Sequence, residues 1–106
     1  MKIYALLILL LFAGFVHAGT STGQVSKVTI SYKAGVFYFQ LDPTTQDNVA
    51  CATAKRYAVM TSTDSGKVIV SGILSAKASQ QIVKAVGDNQ CTINPDSEDV
   101  WFIEIE

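Results

Sequence analysis

Two cysteines, Cys51 and Cys91, lie behind an apolar leader, and this combination constrains the chain more than any other feature in it. Met1 and Lys2 give the leader a positive start, and Leu6 to Val16 form an apolar run broken only by Gly14. Val16-His17-Ala18 then has the small-x-small pattern cut by signal peptidase. The run is well short of the roughly 20 apolar residues that span a bilayer. No stop-transfer pattern follows it, which disfavours the competing reading, a retained membrane anchor. No cysteine follows the cut site to carry a lipid. These features predict a signal peptide over residues 1–18, a single domain over residues 19–106, a secreted or periplasmic location and no membrane span once the leader is removed. An oxidising compartment favours a disulfide, and one pair leaves its connectivity in no doubt if it forms. Closing a loop of this length stabilises a fold by about 4 kcal/mol in the chain-entropy model, a large share of the usual 5–15 kcal/mol. The alternative, a redox or nucleophilic thiol, lacks a Cys-x-x-Cys pair and any histidine to activate it.

Charge narrows the chemistry. Lys2 and the only histidine, His17, fall in the leader, so residues 19–106 carry seven basic and nine acidic side chains and no histidine. Metal sites with a histidine ligand and Ser-His-Asp or Cys-His arrangements are excluded, and no cofactor motif is present. A slightly acidic surface without a basic stripe argues against nucleic acid as a partner.

Periodicity supplies the architecture. Gly19 to Gly23 shows none and reads as a frayed polar start. Lys27 to Lys33 alternates strictly, with Val28, Ile30 and Tyr32 opposite Lys27, Thr29, Ser31 and Lys33, which marks a half-buried strand. Val25 has the other parity, so a bulge near Ser26 would be needed to turn it inward. Gly35 supplies a turn open to positive φ. Val36 to Leu41 is the second strand, with Phe37, Phe39 and Leu41 on one face and Val36, Tyr38 and Gln40 on the other. Arg56 to Met60 reads as a short third strand. Thr63 to Gly66 offers helix-capping oxygens, and Ile69, Gly72, Ile73 and Ala76 recur at helical spacing, predicting a helix over 64–78 that buries Ile69 and Ile73. Gln81 to Val86 and Val100 to Ile105 complete the strands, the last with Trp101, Ile103 and Ile105 opposite Val100, Phe102 and Glu104.

The order β-β-β-α-β-β predicts a mainly β domain with one helix: a five-stranded, OB-fold-like Greek-key barrel whose helix lies between strands three and four. An open antiparallel α+β sheet is the alternative.

The stretch VTISYKAGVFYFQLD, the lone Cys51, the helix and Cys91 followed by EDVWFIEIE resemble small exported bacterial proteins built around one cysteine pair. More distantly, residues 24–105 are similar in element order and hydrophobic pattern to the B subunits of subtilase cytotoxin and of typhoid-type toxins. That resemblance implies an exported OB-fold domain, assembly into a homo-oligomeric ring and binding of sialylated glycans. It places a sugar-contacting serine near the start of the first strand, where this chain has Ser26.

Three arrangements could carry chemistry. Asn94, Asp96, Glu98 and Asp99 cluster, but without the spacing or glycine of an EF-hand loop, and read as a solvated acidic turn rather than a metal site. A glycosidase pair would draw on Asp42, Asp47 and Glu98 meeting in a cleft, for which an 88-residue domain has little room. The aromatics are the better lead. The second and last strands have large apolar side chains on both faces, so Tyr38 and Phe102, or else Trp101, should lie outside the barrel. There they either contact a ligand or subunit or are partly covered by the helix or loops. Lys27, Ser31 and Lys33 share a polar face that could orient an acidic sugar. The expected function is a non-catalytic exported binding module for a glycan or an envelope protein. The alternative is a small secreted inhibitor or accessory subunit acting through protein contacts.

Overall fold

A computed structural model describes residues 19–32, 35–43 and 49–106. The elements follow the order β1 (Thr20–Ser31), β2 (Val36–Asp42), β3 (Tyr57–Met60), α1 (Asp64–Ser79), β4 (Ile82–Gly87) and β5 (Glu98–Ile105). The domain is mainly β with one helix, as the periodicity predicts. Each strand pairs with two others in the order β1-β2-β3-β5-β4, and β4 returns to β1, so the sheet closes on itself. All pairs are antiparallel except β3–β5, which makes the sheet mixed and distinguishes it from the open antiparallel alternative.

The polar start is not frayed. Thr20 to Gln24 pair with Val86 to Ile82 and form the seam that closes the sheet. Ser21 and Gly23 point inward, so the alternation is real but is carried by residues too small to register as hydrophobic. The register shifts between Val25 and Lys27, the bulge that turns Val25 into the core together with Val28. Beyond it the strand outruns the barrel. Ile30 and Tyr32 are exposed rather than half-buried. Gly35 has φ 61° in the hairpin turn, as expected.

Val25, Phe37, Phe39, Leu41, Tyr57, Val59, Val83 and Ala85 fill the barrel, with Phe39 stacked on Tyr57 at 5.3 Å between centroids. α1 closes one end by burying Ile73 and Ala76 completely, with Ile69 half-buried beside them. The Thr63 side chain accepts the Gly66 N–H at the N-cap, and Gln80 ends the helix in the left-handed conformation. No described helix is long and apolar enough to cross a membrane.

Cys51 and Cys91 are disulfide-bonded, with Cα atoms 6.2 Å apart. The bridge joins the segment before β3 to the segment between β4 and β5. A backbone bond from Ala54 N–H to Asp96 O, 2.9 Å, runs between the same two segments.

Candidate functional site

The β4–β5 segment lies across the outer face of β2 and β3, and there Val36, Tyr38, Ala58 and Ile93 make a second small core. Tyr38 is therefore only 6% exposed, and of the two expectations for an outward ring it meets cover by a loop rather than contact with a ligand. The Arg56 guanidinium sits 3.7 Å from the Tyr38 ring centroid, and Asn94 Nδ2 donates to the Tyr38 hydroxyl at 2.9 Å. Arg56 Nε donates to Ser97 Oγ at 2.8 Å, and Arg56 also pairs with Asp96 at 3.4 Å. Tyr38 does lie outside the barrel, but its own chain covers it.

The acidic turn is solvated only in part: the Asp96 side chain is 44% exposed, whereas Glu98 and Asp99 are buried. Ser97 Oγ donates to Asp96 at 2.7 Å, and chiefly this bond, with help from Arg56, holds the Asp96 carboxyl below its ordinary range. Asp99 accepts the backbone N–H groups of Thr92 and Ile93 and the Thr92 hydroxyl. Glu98 is fully buried, so it faces no cleft and cannot join Asp42 as a hydrolytic pair. Asp47 lies outside the described residues. Three or more His, Cys, Asp or Glu side chains in a metal-binding arrangement do not occur among the described residues.

The first-strand candidates are dispersed. Ser26 occupies the bulge, where its hydroxyl donates to Gln40 O at 3.3 Å. Lys27 is exposed and opposite Gln40, Ser31 is half-buried at the strand end, and Lys33 lies outside the described residues. Ser26, Lys27 and Ser31 lie on β1, which does not pair with β5, the strand that carries Trp101 and Phe102.

Of Tyr38, Trp101 and Phe102, Trp101 is the ring that remains open, at 65% exposure. Its position follows from a second bulge. Gly87 pairs with Val100 and Val86 with Phe102, which leaves Trp101 as the extra residue. Val100 and Ile103 consequently both pack on the core, and simple alternation across β5 fails. Phe102 is half-buried and meets the indole edge to face, with centroids 5.1 Å apart.

Two concavities meet at this indole. One, of about 360 Å³, lies between α1 and β5 and is apolar, lined by Val68, Ile69, Gly72, Phe102, Ile103 and Ile105. The other, of about 410 Å³, runs from the start of α1 to the β4–β5 segment, and its polar walls come from Thr63, Ser65, Asp88, Gln90, Thr92 and Asp99. Gln90 Nε2 donates to Asp88 Oδ2 at 2.8 Å, so these two side chains form an exposed pair on its rim. Sequence reasoning missed Asp88, Gln90 and Val68. Only Val68 left a signal, as an apolar residue off the Ile69/Ile73/Ala76 stripe. Comparison with family models, curated proteins and solved structures gives no match to this chain.

Proposed function

We propose that the protein is an exported, non-catalytic OB-fold module that binds a glycan at Trp101. The strand order 1-2-3-5-4 with closure onto strand 1, and a helix between strands 3 and 4, supports the OB assignment. A disulfide supports an oxidising destination, periplasmic or extracellular. The single observation that carries the binding reading is the indole of Trp101, 65% exposed at the rim of a cleft lined by both apolar and polar side chains. A sugar ring presents an apolar face that stacks on an aromatic and hydroxyls that need donors and acceptors beside it. Gln90, Asp88, Thr92 and Ser65 offer these. The carboxylates in that cleft and the acidic balance of residues 19–106 favour a neutral sugar over the sialylated glycans that the toxin resemblance implies. OB-folds commonly bind on the strand 2–3 face. In this chain that face is covered by the β4–β5 segment, so binding moves to β5 and α1.

Trp101 is the only tryptophan, so its emission reports directly on the site. A glycan array followed by fluorescence titration should find a neutral glycan that shifts this emission and is lost in Gln90→Ala. No emission change with any neutral array hit at millimolar concentration refutes the reading. The apolar groove between α1 and β5 favours a second reading, contact with another copy of the chain, which predicts a native mass above the monomer that Val68→Glu returns to it.

A further inference from the structure

We infer that cutting between Ala18 and Gly19 creates a structural ion pair, in which the new α-ammonium of Gly19 is held by the buried carboxyl of Glu98. This rests on the export reading above and goes beyond it, because it gives the cut a role in the folded domain. Gly19 N lies 3.0 Å from Glu98 Oε2, and the same oxygen accepts the Asn89 N–H at 3.0 Å. Gly19 is held from its other side too. Its carbonyl accepts the Gly87 N–H at 2.8 Å and the Tyr57 hydroxyl at 3.5 Å. Glu98 is 0% exposed, and room for it exists because residue 87 has no side chain: a Cβ there would overlap the carboxyl.

Hydrolysis of the Ala18–Gly19 peptide bond consumes one water and yields an Ala18 carboxylate and a Gly19 ammonium. In the uncut chain the Gly19 nitrogen offers Glu98 one neutral N–H. After the cut the same nitrogen carries a full positive charge and two further donors at the same place. A charge-assisted bond is about twice as strong as a neutral one, so the ammonium strengthens the contact that the amide already makes. The cut thus places a cation at the nitrogen that the folded domain holds against this enclosed carboxyl.

The test uses protein recovered after export of the full chain, with its first residue determined by mass spectrometry. Pyridoxal phosphate converts an N-terminal α-amine selectively to a carbonyl and so removes its charge. This transamination should be about ten-fold or more slower in folded than in urea-unfolded protein, because it requires local opening of the Gly19 site. Protein transaminated while unfolded, then refolded with its disulfide intact, should have a lower urea midpoint than untreated protein. In Glu98→Gln the two midpoints should coincide. Equal reaction rates in folded and unfolded protein, or an unchanged midpoint in the wild type, overturn the ion pair. These two wild-type measurements decide the matter if Glu98→Gln does not fold. A recovered chain that retains its leader refutes the signal-peptide reading, and one that begins at a residue other than Gly19 refutes the cut site alone. A chain beginning at Gly19 whose amine reacts freely refutes the pairing alone.

Discussion

Truncating Tyr38 and truncating Trp101 should have opposite consequences, although both rings lie outside the barrel. Tyr38 is 6% exposed, and loss of a buried aromatic side chain costs about 3–5 kcal/mol. Tyr38→Ala also removes the Arg56 contact with the ring, worth about 0.5–2 kcal/mol, and leaves Asn94 without its partner, worth about 0.5–1.5 kcal/mol. These parts overlap, so the expected total is about 4–5 kcal/mol. At about 4–8 °C per kcal/mol in a domain of this size, the melting midpoint should fall by 16 °C or more, if the protein folds at all. Tyr38→Phe keeps the ring and loses only the Asn94 bond, for about 1 kcal/mol. Trp101→Ala removes an exposed indole whose main contact is the edge of Phe102, worth about 0.5–1.5 kcal/mol. Urea unfolding followed by far-ultraviolet circular dichroism measures all three variants without relying on tryptophan emission. A Tyr38→Ala cost under about 1 kcal/mol would show that the β4–β5 segment does not hold this ring. A Trp101→Ala cost as large as that of Tyr38→Ala would remove the argument that the indole is free for a ligand.

Other expectations follow from the same geometry. Quantitative thiol labelling of denatured, unreduced protein should find no free thiol, and Cys51→Ser with Cys91→Ser should lower stability by about 4 kcal/mol. Two labelled thiols in the exported protein would contradict the bridge. Ile73→Asp places a charge at a fully buried helix position and should cost several kcal/mol, whereas Ser75→Asp on the exposed flank should change little. Equal losses would refute the assigned face of α1. Asp96 has its carboxyl pKa lowered by folding from an ordinary value of 3.8, so its contribution is fully present above that value and is lost as pH falls through the lower, folded one. The stability gap between wild type and Asp96→Asn should thus be widest near neutrality and close in acid. A gap that widens on acidification would reverse the sign.

Hydrophobic periodicity was enough to read the β1–β2 hairpin and the helix, because each depends on neighbours close in the chain. Ser21 and Gly23 escaped notice because a tight barrel seam selects small side chains, and small side chains leave no hydrophobic period. Trp101 was assigned to the same face as Ile103, and one inserted residue in the β4–β5 register separates them. The acidic turn was misread for a different reason. Whether Glu98 or Asp99 meets water depends on Gly19, Asn89, Thr92 and Ile93 converging on them, and nothing in the local sequence of the turn carries that information. The cover over Tyr38 joins Arg56 to residues 40 positions further along, which no local pattern encodes.

The seam between β1 and β4 also governs the timing of folding. A chain made or delivered from its N-terminus presents Thr20 first, yet Thr20 pairs with Val86. The third strand needs Glu98 and Asp99 alongside it. Only the β1–β2–β3 meander can form from early residues, and its sheet then has two open edges and no helix across its end. Long-range strand pairing of this kind is slow, because loop-closure entropy is lost before the contacts form. On the export reading proposed above, a chain threaded through a secretion channel stays extensible until nearly all of it has emerged. Protein arrested on its way out should then be cut by protease faster than the released form.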